Sequence, residues 1–334
     1  MENIKIIMKK STRTDKPLIT IAMAVYEPRL DWLCEQLESI NAQTQAGLEL
    51  NILDDCSQTV PFNEICVLVA KCIKAFPYTI DRNEANLGSN GTFERLTVKA
   101  RGEYIAYCDQ DDIWMPQKLE RLLVVIRETD ANLVCSDMLI MDEKGDVTDG
   151  SITAIRRHHI FHSGCGLAPK LLFHNWVTGC TMLLRTEIAK AAMPFCRYMV
   201  HDHWLALFCA ESGKLICLPK PLIKYRIHHG NQTLMMAGVH DKESYIEIKI
   251  KADINKLEWM VDNFRCSDEV NAMIRDGLIW ARARETNMRR KGGKRTVWKY
   301  RRFSPLISIF EVFASVMPDR LFLRIVEMKR MNKI

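Results

Sequence analysis

Two hydrophobic patterns alternate along the first half of the chain. Runs rich in apolar residues, as expected of strands, occur at residues 18–25, 48–53, 78–80, 104–108 and 133–141. The runs at residues 18–25 and 104–108 are nearly or fully continuous, which is typical of strands buried on both faces of a sheet. Between these runs, apolar residues recur every three or four positions, as Leu33, Leu37 and Ile40 do, which indicates helices with one buried face. The alternation predicts an α/β fold with a mostly parallel sheet flanked by helices.

Polar loops follow the carboxyl ends of four of these predicted strands. They are residues 24–27, Asp54 with Asp55, residues 86–90, and an acidic loop at residues 109–112. Right-handed crossovers bring the ends of parallel strands to one edge of the sheet, where open α/β sheets bind their ligands. We therefore expect the four loops to share one crevice.

The acidic loop holds Asp109, Asp111 and Asp112 within four residues, and Pro116 behind it suits the first turn of a helix. Crowded carboxylates repel one another, so such a cluster usually holds a cation or a hydroxyl-rich ligand. A hard divalent ion is commonly bound by one or two carboxylates together with substrate phosphates. The alternative is a solvated acidic loop that caps the next helix.

Beyond residue 240 the chain has helical patterns only. Six apolar residues at helical spacing indicate a buried stripe, namely Ile246, Ile250, Ile254, Leu257, Val261 and Phe264. We predict a catalytic domain over residues 17–235 and a helical C-terminal region, basic and amphipathic, over residues 240–334.

A basic run and an unusual apolar segment stand within this C-terminal region. Residues 289–302 contain eight basic residues and no acid, while residues 306–317 are mostly apolar, with Ser308, Glu311 and Ser315 on one narrow stripe. Basic residues beside an amphipathic helix favour binding to an anionic membrane surface. One alternative is a solvated charge run beside a packing helix. In the other, apolar side chains pack on the catalytic domain or on a second subunit: Leu306, Phe310, Phe313 and Val316.

Composition narrows the cellular setting. The formal net charge of +6 is modest for 334 residues and does not by itself imply nucleic acid. The twelve cysteines are scattered without a CxxC pair, which favours a reduced, cytoplasmic protein over a disulfide framework or a zinc site. The first residues hold too short an apolar run for a signal peptide, and no window reaches the roughly 20 apolar residues of a membrane span.

The order of the polar loops is similar to that of the family 2 glycosyltransferases, which use nucleotide sugars and have the GT-A fold. The resemblance runs from about Pro17 to Thr233 and rests on the segments AVYEP, DDCS, NLGSNG, DQDDIW, VHDHWLA and YRIHHGNQT. The DQDDIW form most resembles the rhamnosyltransferase-like branch and similar enzymes of bacterial surface-polysaccharide synthesis.

The resemblance implies that the loops bind a nucleotide-diphosphate sugar. The residues it implies for this role are Ala24, Tyr26, Asp54, Asp55, Asn86, Gly88, Asn90 and Asp109. Among them, Asp55 would accept a hydrogen bond from the imide N–H of the base, and Asp109 would meet the ribose. Asp54 and Asn86 could instead be turn formers, because Asx residues favour such positions.

The resemblance also implies a divalent cation, Mn²⁺ or Mg²⁺, that bridges the diphosphate and stabilises its departure. Asp111 would be the main ligand, with Asp109 and His228 as further candidates. Either His228 or Arg226 could instead reach the diphosphate. Asp112 would cap the following helix or touch the donor sugar.

On the acceptor side, Asp202 matches the position of the family's base. Inverting transfer needs one carboxylate to remove the proton of the acceptor hydroxyl. Its neighbours His201 and His203 could lower its pKa when protonated, or merely cap the helix. The resemblance places three residues under the acceptor, in a strand entered through a Gly turn: Trp176, Thr178 and Gly179. Residues 150–166 form a predicted acceptor loop, whose histidines we interpret as solvated: His158, His159 and His162.

Together these features predict a cytoplasmic, inverting, metal-dependent glycosyltransferase acting on a saccharide or lipid-linked saccharide at the inner membrane face. A nucleotidyltransferase is one rival, but it would want Arg or Lys in a Gly-rich loop after the first strand, where this chain has AVYEPRL. A nucleic-acid-binding protein that uses the basic tail is another. It needs base-stacking aromatics, for which only Trp298 and Tyr300 are candidates, so we expect no nucleic acid partner.

Overall fold

A computed structural model describes residues 18–156, 159–228, 236 and 238–330. His158 of the predicted acceptor loop and residues 229–235, which end the family resemblance, lie outside the described residues. The chain divides into two compact units. The first contains the described residues up to Leu171, Asn175–Phe195 and Val200–His228. The second contains Leu172–His174, Cys196–Met199 and the described residues from 236 onward.

The first unit alternates strands with helices. Its strands are β1 (Ile19–Val25), β2 (Leu48–Asp54), β3 (Tyr78–Arg82), β4 (Tyr104–Cys108), β5 (Ile113–Trp114), β6 (Leu133–Met141), β7 (Val147–Asp149), β8 (Met182–Arg185) and β9 (Leu215–Arg226). Its helices are α1 (Leu30–Asn41), α2 (Phe62–Cys72), α3 (Gly88–Lys99), α4 (Lys118–Thr129), α5 (Ile152–Ile155), α6 (Ala168–Leu171), α7 (Thr186–Ala191) and α8 (His201–Ser212), and a 3-10 turn at Gly179–Thr181 precedes β8.

The strands form one sheet in the order β3-β2-β1-β4-β8-β6-β9-β5, with β7 paired to β6. β1 to β4 pair in parallel, as do β6 and β9. β8 runs antiparallel to both of its neighbours, and β5 runs antiparallel to β9. The predicted α/β fold class is confirmed. The mostly parallel pairing that the sequence predicts is found among β1 to β4, whereas β8 enters from its 3-10 turn in the opposite direction.

The second unit is helical. Its elements are α9 (Lys242–Tyr245), a π-helical turn (Ile246–Ile250), α10 (Lys251–Asn263), α11 (Asp268–Met288), α12 (Lys294–Lys299), a 3-10 turn (Arg301–Phe303), α13 (Pro305–Ala314) and α14 (Asp319–Arg330). Five of the six residues of the predicted apolar stripe are buried, and Val261 is exposed. Among the described residues, no helix is long and apolar enough to cross a bilayer.

Polar groups form part of the core of this second unit. The buried Arg284 donates from Nε to Glu311 Oε2 at 2.7 Å, and its Nη1 lies 2.7 Å from Asp253 Oδ2. The Tyr245 hydroxyl donates to Glu311 Oε1 at 2.8 Å. A buried charge is costly unless it is paired and hydrogen-bonded, so this network keeps α11 and α13 in one relative orientation.

Candidate active site

The acidic loop connects the carboxyl end of β4 to β5. Asp109 and Asp111 are half-buried, and Asp112 is fully buried, with its Oδ1 accepting a hydrogen bond from the Arg226 backbone N–H at 3.0 Å. Burial and the charge of Asp111 raise the pKa of Asp109 to about 7 and hold the pKa of Asp112 well above its usual range. Asp112 does not cap α4, whose N-cap residue is Gln117. The loop is therefore not a solvated helix cap.

The Arg226 side chain supports the backbone of the acidic loop. Its guanidinium is buried and donates to the Asp111 carbonyl oxygen at 2.9 Å, and to the carbonyl oxygens of Asp142 and Glu143 at 3.3 and 3.2 Å. Its remaining terminal nitrogen pairs with the Glu35 carboxylate. Because these groups hold the guanidinium against the loop backbone, the alternative in which Arg226 reaches the diphosphate is wrong.

The His228 imidazole lies beside Asp111. Its Nε2 is 2.8 Å from Asp111 Oδ2, and its ring centroid lies 4.9 Å from that of Trp32. Carboxylates and imidazoles are common ligands of divalent cations, and these two side chains lie within hydrogen-bond distance of each other. The carboxylate oxygens of Asp109 and Asp112 and the Cys180 thiol form a second group, with atoms within 4.8 Å of one another. The donors at the acidic loop therefore fit a divalent cation.

A buried lysine, Lys118, lies beneath the acidic loop and is not among the site residues predicted from the sequence. Lys118 begins α4, and its Nζ donates to the Cys180 carbonyl oxygen at 2.5 Å and lies 3.2 Å from the Trp114 ring centroid. Burial lowers the pKa of Lys118 to about 7, although nearby acidic groups favour its protonated form. Its sequence signal is its place four residues before Leu122, on the buried face of α4.

One short turn joins the acidic loop to the predicted base. In the turn Gly179–Thr181, the Gly179 N–H donates to Asp202 Oδ2 at 3.0 Å, while Cys180 contributes the carbonyl that binds Lys118. The other carboxylate oxygen of Asp202 accepts a hydrogen bond from Asn175 Nδ2 at 3.1 Å. The negative charge of Asp202 contributes to the raised pKa of Asp109. The same three-residue turn therefore sets the position of both groups.

Burial raises the pKa of Asp202 to about 6, although the hydrogen bonds from Gly179 and Asn175 favour its ionised form. The carboxylate is thus mostly ionised at neutral pH, and it is a stronger base than an exposed aspartate. His201 packs against the Phe93 ring with 4.1 Å between centroids, and burial lowers its pKa to about 3. His201 is therefore neutral, and the expectation that its positive charge lowers the pKa of Asp202 is wrong.

Gly179→Ala is expected to lower turnover by roughly 10²-fold, because a misplacement of about 1 Å at a reacting group has that effect. A Cβ at residue 179 would lie 2.6 Å from His201 Nε2, so the turn or the start of α8 must move and carry Asp202 with it. The measurement is kcat alongside donor affinity, which should stay near the wild-type value. Val67→Ala is the control, since Val67 is an exposed residue of α2 that lies in none of the predicted site segments. Wild-type turnover in Gly179→Ala would show that the turn does not position Asp202.

The two aspartates at the carboxyl end of β2, Asp54 and Asp55, have different surroundings. Asp55 Oδ1 accepts a hydrogen bond from the Leu87 N–H at 2.8 Å, which ties its loop to the loop before α3. Asp54 is fully buried, accepts a hydrogen bond from the Ser57 hydroxyl at 2.5 Å and lies 3.3 Å from Arg82 Nε. Asp54 therefore shapes the turn, as the alternative interpretation expected, while Asp55 joins two loops of the predicted nucleotide site.

The loop before α3 is a local turn. The side-chain oxygen of Asn86 accepts a hydrogen bond from the Gly88 N–H at 3.0 Å, and Gly88 has a φ of 72°, a left-handed conformation that suits glycine. Asn90 is half-buried in the first turn of α3. The two asparagines and Gly88 thus lie in adjacent turns of the chain.

Gln110, between the acids, was missed by the sequence analysis. Its Oε1 accepts a hydrogen bond from the Tyr26 N–H at 2.8 Å, and its Nε2 donates to the Tyr26 carbonyl oxygen at 3.0 Å. The two hydrogen bonds hold the backbone at the end of β1, where the resemblance implies that Ala24 and Tyr26 bind the nucleotide sugar, against the acidic loop. A glutamine in this pattern carries no sequence signal of its own, because its partner is a backbone segment 84 residues away.

The predicted acceptor segment is largely buried. The Trp176 ring lies 4.9 Å from that of His162, and Trp176 and Gly179 are both buried. Thr178 is half-buried, and its carbonyl oxygen accepts hydrogen bonds from Thr181. Of these three predicted residues, Thr178 therefore has the side chain most open to a ligand.

The sequence can be placed in a family by comparison with known proteins. Residues 20–189 match the family described as Glycosyl transferase family 2. An uncharacterised glycosyltransferase of Methanocaldococcus jannaschii is 32% identical over 240 residues, which cover 70% of this chain and 79% of the relative. The chain belongs to the family 2 glycosyltransferases. A second uncharacterised glycosyltransferase, from Nostoc sp., is 25% identical over 244 residues. The aligned region covers 70% of this glycosyltransferase and 71% of the relative.

Solved structures of S. aureus TarS have the same fold as this glycosyltransferase. The structure of TarS 1–349 in complex with UDP-GlcNAc aligns with a TM-score of 0.55 at 15% identity, covering 80% of this chain and 72% of that chain. The complex with UDP aligns with a TM-score of 0.53 at 12% identity, covering 94% of this chain and 89% of the TarS chain. The expectation of a GT-A fold is confirmed.

Proposed function

We propose that this glycosyltransferase transfers a sugar, with inversion, from a nucleoside diphosphate sugar to a hydroxyl group of a saccharide. The observation that carries the proposal is the turn Gly179–Thr181, which holds the Asp202 carboxylate beside the acidic loop. A donor whose diphosphate lies on the acidic loop would have its sugar on the side of Asp202. The general base and the acidic loop that would hold the leaving diphosphate, both of which an inverting transfer needs, are then neighbours.

Asp202 acts as the general base. The acceptor oxygen forms a bond with the anomeric carbon while the bond from that carbon to the diphosphate oxygen breaks, and the diphosphate leaves with the electron pair. The acceptor's proton passes to the Asp202 carboxylate, whose raised pKa suits this role near neutral pH. Attack and departure occur on opposite faces of the carbon, so its configuration inverts.

We propose Mn²⁺ or Mg²⁺ as the cation at the acidic loop, with Asp111 as its main ligand. His228 lies within hydrogen-bond distance of Asp111, and Asp109 is in the same loop, so both are candidates for the same ion. When bound, a divalent cation offsets the charge of the departing diphosphate. Arg226 and Lys118 contribute by fixing the loop's backbone and the neighbouring turn.

We propose UDP as the donor nucleotide, because the structurally similar TarS was solved with UDP-GlcNAc and with UDP. In this assignment Asp55 accepts the imide hydrogen bond of the base, and the backbone at Ala24 and Tyr26 lies against it. Asn86, Gly88 and Asn90 line the rest of the nucleotide sugar. The resemblance of the DQDDIW loop to the rhamnosyltransferase-like branch makes rhamnose the first sugar to test.

The proposed acceptor is a saccharide or a lipid-linked saccharide of bacterial surface-polysaccharide synthesis, bound near Trp176, Thr178 and Gly179. We place the enzyme in the cytoplasm, at the inner face of the membrane where lipid-linked saccharides are extended. Two close cysteine pairs, Cys34 with Cys72 and Cys135 with Cys217, remain thiols with 3.6 and 3.1 Å between their sulfur atoms, which supports a reducing compartment.

A matching donor is expected to stabilise the protein in the presence of Mn²⁺. At 100 times its dissociation constant, a ligand adds about 2.7 kcal/mol to the free energy of unfolding. Thermal unfolding against UDP-hexoses, UDP-GlcNAc and nucleoside diphosphate rhamnoses measures this effect. Asp55→Asn should weaken it and Asp146→Asn, in an exposed loop, should not. Stabilisation by nucleoside triphosphates with release of pyrophosphate would instead indicate a nucleotidyltransferase.

A further inference from the structure

α13 has its polarity inverted. Its polar stripe faces inward, since Ser304, Ser308, Glu311 and Ser315 are all buried. An apolar stripe faces solvent at the same helical spacing, with Leu306 70% exposed, Ile309 42%, Phe313 61% and Val316, just past the helix end, 59%. A solvent-facing helix normally has the opposite arrangement, so the outward stripe of α13 requires an explanation.

The inward polar stripe is held by specific partners. Trp280 Nε1 donates to the Ser308 hydroxyl at 3.1 Å, and Arg284 donates to both carboxylate oxygens of Glu311, at 2.7 and 2.8 Å. Asn287 Nδ2 donates to the Glu311 carbonyl oxygen at 2.8 Å. Turning α13 to bury its apolar stripe would leave the Arg284 charge buried without its partner, which is strongly unfavourable. The orientation of the stripe is therefore built into the core.

Positive charge adjoins the apolar stripe. The segment 289–302 that leads into α13 contains eight basic residues and no acidic residue. Several of these basic side chains are exposed, namely Lys291, Lys294, Arg295, Lys299 and Arg301, while Arg302 pairs with Asp276 at 2.6 Å. Trp298, in the same segment, is 50% exposed with the Arg301 guanidinium 4.8 Å from its ring centroid. Tryptophan with basic and aliphatic neighbours is typical of a membrane interface.

We propose that the outward stripe of α13 and the basic segment 291–302 together bind the surface of an anionic bilayer. The aliphatic and aromatic side chains enter the boundary between headgroups and acyl chains, and the basic side chains contact the anionic headgroups. A second copy of this chain could cover the apolar stripe but carries no run of acidic residues on its own α13 segment to match the basic one. A bilayer supplies an apolar layer for the stripe and, directly beside it, negatively charged headgroups for the basic segment.

This inference is independent of the sugar-transfer proposal, because none of the residues of this surface lies in the candidate active site. It concerns peripheral binding, since no described helix is long and apolar enough to span a bilayer. The basic side chains act over a range of about 10 Å at 0.1 M salt, so high salt should weaken binding. Neutral lipid should bind the protein much more weakly than anionic lipid.

Flotation of the full chain with phosphatidylglycerol-containing vesicles tests the proposal. The wild-type protein should float at 0.1 M salt and remain at the bottom at 1 M salt or with pure phosphatidylcholine vesicles. The double variant Leu306→Ser with Phe313→Ser should lose flotation. The matched control is Val67→Ser with Val124→Ser, which removes two exposed apolar side chains from the first unit and should float normally.

A triple variant separates charge from apolar contact. Lys294→Gln, Arg295→Gln and Lys299→Gln together should lower the vesicle partition constant by about 100-fold, since each basic residue near an anionic surface contributes about fivefold. The thermal unfolding midpoint should be unchanged in all variants, which shows that they fold and keeps this test apart from the sugar-transfer proposal. Flotation of the serine double variant at the wild-type level would overturn the inference. The inference would also be overturned if the wild-type protein did not bind anionic vesicles. A wild-type dimer that the serine double variant cannot form would overturn it too.

Discussion

Asp202→Asn is expected to lower turnover by roughly 10²–10⁴-fold, the usual contribution of a general base. The amide keeps the shape of the side chain but has no basic oxygen to take the acceptor's proton. Donor affinity should survive, because the Asp202 contacts are with Gly179 and Asn175 and not with the predicted nucleotide loops. The measurements are kcat at saturating donor and acceptor, and donor affinity by calorimetry.

The pH dependence provides the control for this prediction. Because burial raises the pKa of Asp202 to about 6, the wild-type kcat/KM should fall tenfold per unit as the pH drops below about 6. The base works when deprotonated, so the loss lies on the acid side. Asp202→Asn should lack this limb. Retained turnover in the variant would assign the base to another group. An acid limb that remains near pH 7 would instead belong to Asp109, whose pKa is raised to about 7.

Asp111→Asn is expected to remove most turnover and the metal-dependent part of donor binding. A cation that offsets charge on a departing diphosphate contributes several kcal/mol to the transition state, which corresponds to a loss of about 10²–10⁴-fold. The fold should be kept, because Arg226 donates its hydrogen bond to the Asp111 carbonyl oxygen and not to the Asp111 carboxylate.

Manganese titration of donor binding and of turnover measures this effect. His228→Gln should raise the Mn²⁺ concentration needed for half-maximal activity, since Nε2 lies 2.8 Å from Asp111 Oδ2. Asp146→Asn is again the matched control. Near-normal turnover of Asp111→Asn in Mn²⁺ would refute the assignment of Asp111 as the main ligand.

Most strands of the first unit could be predicted because they are buried on both faces. The bounds of β4 and β6 agree with the predicted runs. Every residue of β4 is apolar and buried, whereas β6 also buries Ser136 and Asp137. β9 was not predicted. It contains Pro219 and Pro221, which argue against a strand, and the β6–β9 register shifts near Pro221. β5 has only two residues, too few to show any period.

The candidate site was predictable where chemistry clusters along the chain and unpredictable where it assembles across the fold. Asp109, Asp111 and Asp112 stand together in the sequence, so their crowding is visible there. The donation of Arg226 to the Asp111 carbonyl oxygen joins positions 115 residues apart, and only the folded sheet brings them together. Lys118 is similar, because its partner is the backbone of Cys180.

The orientation of α13 shows another limit of sequence patterns. The period of Ser308, Glu311 and Ser315 predicts an amphipathic helix, and the structure contains one. A period does not say which face lies inside, and burial of an apolar face would be the usual outcome. Here Arg284 decides the matter, since its buried charge needs the Glu311 carboxylate. Of the four apolar residues proposed to pack on other parts of the protein, Leu306, Phe313 and Val316 are exposed, and only Phe310 is half-buried.

The position of β8 has a consequence for synthesis of the chain. β8 covers the edge of β4 in the finished sheet, yet it follows β4 in the chain by more than seventy residues. At about 5–20 residues per second, the stretch between them takes roughly 4–15 s to emerge from a ribosome. During that interval the nascent β4 is an edge strand with open backbone amides and apolar side chains. Such an edge is prone to pair with another chain, so this stage of synthesis is the one most exposed to aggregation.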